Sequence, residues 1–495
     1  MKIKIYAIAL LLLSMTSCNK LLDVDPHTFS RGEDYYKTED QIRLAVNGVY
    51  ATTQATYTGN FPAMTEMRSD NTNYQYDEGN RGAQQREELD EFLISPTNNQ
   101  VQDVWSRLYA TIQQANIVLG KIDAVEFTDE TLKNQYKGEM QFLRAMQYFH
   151  LVRLFGEVPL ILEEISGPET AFGGEKASVQ AVYDQIILDA KAAADNLPPS
   201  YTGANLGRAS KAAALTLLGE VYITLKQYDL AIPALQQVTT MGYGLLDNYA
   251  DNFDPTKKNN KESIYAIQFN YGLESEAANW IFSFGPRDGR QILTGFGGQL
   301  GAWNIPTPSM VNAYEPGDIR KDASIQMFTN AANEKYQEAD YFGGSTIPFI
   351  KKYYHPPYPR NSRSDENMPV YRYSYVLLML SEAMAASGTG DPYGPLNEVR
   401  LRADLDPLSG LTAPDLKDAV LHEQRVELAF ENHRWFQLLR SGKAIEIMTA
   451  HGEEQRALLP RLSDATYNIQ PWKLLYPIPE RETRLNNIEQ NPEWK

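Results

Sequence analysis

Two stretches of this chain carry residue types that recognise hydroxyl-rich molecules. Tyr57–Arg86 is rich in Asn, Gln, Gly, Tyr and Asp with little apolar periodicity, which predicts loop, and within it Arg68, Asp70, Asn71, Tyr74 and Tyr76 mix hydrogen-bonding side chains with rings. Trp280 and Trp303 flank a second stretch rich in Gly and Phe. A sugar presents an apolar CH face and polar edges. Aromatic rings cover the first, and Asn, Asp, Arg or Gln bind the second. The competing reading for each ring is core packing. Arg68-Ser69-Asp70 reads equally as a turn whose Asp70 carboxylate caps backbone amides.

Patterns for bond-making chemistry are missing from the sequence. His422-Glu423 opens like a zinc motif, but the second histidine would fall at 426, where Val426 stands. The six His are scattered and Cys18 is the sole cysteine, so no metal centre and no cofactor are expected. Asp251–Asp254 is the nearest approach to a structural cation site. Glu163-Glu164 and Glu453-Glu454 are adjacent, and adjacent residues on a helix do not face each other. There is no GxSxG, and Gly285–Gly301 lacks the Lys-Ser/Thr of a phosphate loop. A pair of glycosidase carboxylates distant in sequence leaves a hydrolase as the third reading, behind binding without catalysis.

These side chains need a scaffold, and its clearest element is Thr412–Gly442. Thr412 is an N-cap, Pro414 lies in the first turn and Ser441-Gly442 ends the run, which predicts one long helix. Leu421, Leu428, Trp435, Phe436 and Leu439 share a face with Arg425 and Asn432. A buried guanidinium needs a partner, so a carboxylate from another helix is expected at Arg425. Val426 and Phe430, on the opposite side, predict packing on more than one flank.

Upstream, helices are predicted over Glu39–Ala51, Gln102–Ile122, Thr131–Phe155 and Val179–Leu197, the last stopped by Pro198-Pro199. Gly207–Gly242 has the spacing of one tetratricopeptide unit, in which Gly219 and Ala231 let two antiparallel helices approach while Tyr222 and Leu235 fill the gap. Tyr375–Ser387 with Gly394–Arg402 reads as a second, degenerate unit. One such unit cannot bury its own face, so it must stack on neighbours. Between them lies Asp247–Pro369, rich in Gly, Pro, Asn and aromatics, with a short strand expected at Ser263–Asn270 and a tyrosine-proline loop at Lys351–Pro359. A long irregular stretch in a helical chain is usually functional. The expected organisation is a signal peptide over 1–17, a lipidated leader over 18–30, helical regions over 31–246 and 371–495, and a loop-rich insert over 247–370.

The net charge of −17 over 495 residues argues against nucleic acid as a partner and against docking on anionic lipid. It suits a neutral ligand. Lys2 and Lys4, the apolar run Ala7–Leu13 and Ser14–Cys18 have the layout of a signal peptide. The apolar run is shorter than the roughly 20 residues of a spanning helix. Cys18 stands at the cleavage point as in a bacterial lipobox, with Met15 where Leu is usual. Lipid on Cys18 would tether the body to a membrane that no later segment spans. A lone cysteine permits no intrachain disulfide.

Four segments resemble the SusD/RagB family, the nutrient-binding outer-membrane lipoproteins of Bacteroidetes. They are QRVELAFENHRWFQLLRSGKA, FLRAMQYFHLVRLFGEVPLI, WSRLYATIQQANIVL and the ending LYPIPERETRLNNIEQNPEW. The resemblance runs in the same order from Cys18 to Trp494. It implies a mainly α fold of stacked tetratricopeptide-like helical pairs, with a loop-rich, aromatic binding face and a few short strands. It implies capture of an oligosaccharide or polysaccharide without catalysis, and a SusC-like TonB-dependent outer-membrane transporter over which the lipoprotein sits as a lid. By position in the family it points to Trp280, Trp303, Tyr74 and Tyr76 as platforms, with Arg68, Asp70 and Asn71 as polar partners. The alternatives are a subunit that mainly docks the transporter, and a peptide ligand.

Overall fold

The computed structural model describes residues 35–79, 84–167 and 174–494. The expected signal peptide, Cys18 and the leader over 18–30 lie outside the described residues. No described helix is long and apolar enough to cross a membrane.

The long helices form where the sequence supplies both a cap and a buried stripe. α1 (Glu39–Thr58) starts with a capping box, Thr38 and Gln41 each accepting the other's backbone N–H. α2 (Asn99–Ile122), α3 (Glu130–Phe155), α4 (Val179–Asn196) and α5 (Lys211–Thr224) are capped by the side chains of Asn98, Asp129, Ser178 and Ser210. α6 (Tyr228–Thr239) completes the tetratricopeptide-like pair. Each of these helices packs on the next. The chain then departs into the insert and returns as α7 (Tyr373–Ser387), which lies against α6. α8 (Tyr393–Arg402) and α9 (Ala413–Glu427) both pack on α7. The stack is therefore continuous in space although it is interrupted in sequence, as expected for units that cannot bury a face alone.

At the α5–α6 crossing, a Cβ on Gly219 would fall inside the Leu235 side chain. Tyr222, Ala231 and Leu235 are all buried there. The predicted division between small and filling residues is what the structure shows.

The insert is tied down by short strands: β1 (Thr72–Asn73), β2 (Ser263–Ile267), β3 (Ile305–Pro306), β4 (Ile325–Thr329), β5 (Thr346–Ile350) and β6 (Met368–Arg372). β2 pairs antiparallel with β6 and closes the insert at its root. β4 and β5 form a hairpin, and β1 joins β3, which links the early loop to the insert. One hydrophobic core draws on all three expected regions, from Ile42 through Trp280 and Trp303 to Trp494.

Three sequence expectations are corrected. Tyr57–Arg86 is not simply loop: α1 runs to Thr58, and a further short helix covers Phe61–Thr65. Thr412–Gly442 is two helices, because α9 stops at Glu427 and α10 (Arg434–Ser441) starts after the break Leu428–His433. Phe430 (φ 69°) and Asn432 (φ 68°) take the left-handed backbone that side chains resist. The buried Glu66 carboxylate holds them there, accepting the N–H groups of Phe430 at 2.9 Å and Asn432 at 3.0 Å. Arg425 does find a carboxylate, but from a turn rather than a helix. Asp70 lies 3.0 Å from Arg425 and 2.8 Å from Arg434, so it bridges the two helices across their break. Val426 and Phe430 are buried, consistent with packing on both flanks.

A buried ion cluster surrounds this break. Arg372 binds Glu262 (2.6 Å), Glu427 (2.8 Å) and Glu431 (2.8 Å). Arg320 binds Asp318 (2.8 Å), Glu423 (2.5 Å) and Glu427 (3.1 Å). Arg402 reaches Glu262 and Glu427, and Lys352 reaches Glu431. Burial disfavours the Glu427 charge, yet Arg402, Arg372 and Arg320 hold its carboxyl well below the usual carboxylate range. Burial likewise opposes the charge on Glu431, and Arg372 and Lys352 win.

Gly219→Ala should displace Leu235 and cost about 1–3 kcal/mol, read as a lower urea midpoint. Glu427→Ala leaves buried guanidinium groups short of a counter-charge and should cost about 3–5 kcal/mol in the same assay. Because Glu427 and Glu431 titrate below their unfolded values, their contribution is complete above about pH 4.3 and is lost as pH falls. Glu427→Gln should therefore lose less stability on acidification than the parent. Parallel acid profiles for the two proteins would refute this.

Candidate functional site

The two loop stretches marked out by composition meet in space. The β1–β3 ladder is extended by the Gln75 N–H, which donates to the Ala302 carbonyl at 2.9 Å. Arg287 clamps the junction. Its guanidinium donates to the Gln75 carbonyl (2.9 Å) and the Tyr74 hydroxyl (3.2 Å), and its N–H donates to Gln75 Oε1 (3.0 Å).

Most of what this junction gathers is interior. Trp280 is fully buried, stacked on Phe284 and edge-on to Phe269, with its Nε1 donating to the Glu366 carbonyl at 3.0 Å. Trp303 is buried edge-on to Phe284, with the Arg86 guanidinium 4.4 Å above its ring. Tyr74 is buried under Arg287. Arg68 is buried 3.6 Å from the Phe92 ring and donates to the carbonyls of Leu89 and Lys473. Asn71 donates to Glu66 and accepts from Arg425 Nε at 2.9 Å. Asp70 is buried and committed to Arg425 and Arg434, which hold its carboxyl low against the opposing effect of burial. These six expected ligand contacts present no face to solvent here. Their rings fill the core, Asp70 and Asn71 fasten the turn to α9 and α10, and Arg68 ties it to the Leu89 and Lys473 carbonyls.

Tyr76 is the partly open member of the expected set. Arg461 lies 4.1 Å above its ring, and its N–H donates to Glu338 at 3.2 Å. Three loop segments converge around it. Asp288 accepts from the Tyr336 hydroxyl (2.8 Å) and the Gln299 amide (3.1 Å), and pairs with Lys335 at 2.8 Å. Arg287 reaches Asp77 at 3.6 Å. Burial works against the Asp288 charge, but the bonds from Lys335, Gln299 and Tyr336 lower its pKa, so it is ionised at neutral pH. Asp77 and Asp288 are half-buried, whereas Gln299 and Lys335 are exposed. Sequence reasoning missed Asp288, Gln299, Lys335 and Tyr336. Asp288 and Gln299 lie inside the Gly-rich stretch already singled out, so position was the available signal.

A smaller apolar cluster lies on the same insert, where Phe296 and Tyr354 are half-buried against Phe282 and Tyr358. Among the described residues no group of three or more His, Cys, Asp or Glu is placed to hold a metal. Asp251 pairs instead with Lys257, and Asp254 accepts from Thr256.

Beneath the loop, Asp90 accepts the Tyr74 N–H (2.8 Å) and the Tyr467 hydroxyl (2.9 Å). Burial pushes its carboxyl up to about 8.

A continuous stack of helical pairs, with a long insert that carries a loop-built polar and aromatic surface, defines a helical-repeat scaffold of the binding type. Residues 320–494 match the model described as SusD family, and residues 20–223 match one described as "Starch-binding associating with outer membrane". The chain belongs to the SusD/RagB family. Among curated relatives, SusD-like protein P2 of Formosa agariphila is 27% identical, covering 97% of this chain and 98% of its own length. A SusD-like protein of Bacteroides ovatus is 24% identical over 89% and 82% respectively. Among solved structures, a laminarin-binding SusD-like protein superposes with a TM-score of 0.76 at 26% identity, covering 92% of this chain and 100% of its own. A SusD homolog from Bacteroides thetaiotaomicron has a TM-score of 0.78 at 24% identity, with 94% and 99% covered.

Trp280→Ala should act on stability, costing about 3–5 kcal/mol by chemical denaturation. Asp90 favours the fold while protonated, since its folded pKa lies above its unfolded one. Stability should therefore decline as pH rises from about 4 to about 8. Asp90→Asn should flatten that decline in melting temperatures measured across the range.

Proposed function

We propose that this protein is a lipoprotein, anchored through Cys18 at the outer membrane and exposed at the cell surface, that takes part in nutrient uptake. It captures an oligosaccharide or polysaccharide and passes it, unmodified, to a SusC-like TonB-dependent transporter. The observation that carries this reading is the surface around Tyr76. There a partly open ring, with Arg461 over one face, precedes Asp77, which Arg287 ties to the segment of Asp288, and the Asp288 carboxylate, Gln299 amide and Lys335 ammonium hold one another in place. A sugar needs that combination of apolar face and fixed hydrogen-bonding groups. Pre-positioned groups also lose little entropy on binding. The likeness to a protein named for laminarin binding supports a glycan as the ligand class.

The soluble form starting after Cys18 should bind one member of a polysaccharide panel. Tyr76→Ala or Asp288→Ala should weaken that binding by about 1–3 kcal/mol in calorimetry on protein that circular dichroism shows to be folded. Incubation should leave the length of the glycan unchanged. A folded protein that binds no glycan would move the transporter-docking reading to first place, and shortened product would establish a hydrolase.

A further inference from the structure

A polar cleft of about 200 Å³ opens between the loop that joins α4 to α5, the turn after α6, and β2. It shares no lining residue with the surface around Tyr76. Its existence follows from local chain geometry. Gly207 (φ 90°) turns the chain into the Ser210 cap of α5, and Gly242 (φ 86°) turns it after α6. A Cβ at Gly242 would meet nothing, so the rim there is open.

Tyr201 and Tyr243 form two of its walls, each half-buried. Among the described residues their hydroxyls are held by stretched contacts. Tyr243 Oη lies 3.5 Å from Ser210 Oγ and from the Pro199 carbonyl, and Tyr201 Oη lies 3.5 Å from Glu139. Ordinary O–H···O bonds are about 2.5–3.0 Å long, so a ligand hydroxyl could replace these contacts with better ones. Leu206, 47% exposed, adds an apolar edge. The charges are committed or solvated. Arg208 is bound to Glu139 (2.7 Å) and Asn47 (2.6 Å), while Lys261 is exposed with Asp247 at 3.9 Å. An anion would gain little here. Rings, hydroxyls and an apolar edge, with the Arg208 charge paired and the Lys261 ammonium out in solvent, suit a neutral polyhydroxylated ring. The volume falls below the roughly 300–1,000 Å³ of pockets for larger ligands, which limits the occupant to one ring or a chain end.

We propose that this cleft is a second carbohydrate contact, taking a single neutral sugar unit or the end of a glycan chain. The inference builds on the glycan-binding reading and adds a site to it. A polysaccharide that engaged both surfaces would gain avidity by effective concentration, with no new contact at either.

The test is saturation-transfer NMR on the soluble form starting after Cys18, with glucose, galactose, mannose and xylose as probes. One of these sugars should give a transfer signal whose apparent affinity falls at least tenfold in Tyr243→Ala. If circular dichroism shows that variant unfolded, Tyr201→Phe and Tyr243→Phe keep the rings and should each weaken the signal severalfold. A signal that falls in Tyr76→Ala but not in the Tyr243 variants would put the sugar on the loop face and overturn the proposal. So would the absence of signal from all four sugars with folded protein, or transfer to a hexapeptide and none to any sugar. Polysaccharide binding lost in Tyr76→Ala would still stand after either result, so the two readings fail separately.

Discussion

Arg372 occupies the point where the insert rejoins the helical stack, and its guanidinium is shared among Glu262, Glu427 and Glu431. The three carboxylates come from the approach to β2, the end of α9 and the α9–α10 break. A buried guanidinium is tolerable only with its donors satisfied, and removing any one partner leaves the others uncompensated. The root of the insert, α7 and the break are therefore fixed relative to one another by a single buried charge. Arg320 and Lys352 extend the same constraint to the far side of the insert. This explains how a long irregular stretch can sit rigidly on a helical repeat whose own contacts are only between neighbours.

The break in the last helical run is the second half of that design. Continuous α-helix through Leu428–His433 would hide the N–H groups of Phe430 and Asn432 inside the helix. Glu66 takes them instead, and Asp70 bridges Arg425 and Arg434. Consequently the turn from Glu66 to Asn71 is fastened to the C-terminal helices before it reaches β1. The loop carrying Tyr76 thus leaves from a fixed point. A surface displayed from such a base is pre-organised, which favours recognition by lowering the ordering cost.

Buried rings and displayed rings have separate tasks in this protein. Trp280 and Trp303 pack against Phe284 and carry the main core into the insert. Tyr76 lies under Arg461, and Asp288 is held by Lys335 and by the Tyr336 hydroxyl, whose ring packs with Ile305, Ala339 and Ile347. The cleft near Tyr243 lies where the stack and the insert meet, and it arises from two glycine turns.

Much of the scaffold was legible in the residues alone, because its determinants are local. The long runs α2, α3 and α4 follow from apolar periodicity and from caps within a turn of each start. The Gly219–Leu235 approach follows from a spacing that stays within one helical pair. The break after Glu427 could not be read this way. Its periodicity suits a helix, and the carboxylate that ends the helix lies 364 positions away in sequence. The same limit applies to the proposed binding surface. A tryptophan that fills a core and one that stacks on a sugar have the same composition and the same neighbours in sequence. Burial separates them, and burial is a sum over segments brought together from the whole chain. Trp280 and Tyr76 were equivalent as letters, and only the packing of the insert on the stack put one inside and left the other partly open.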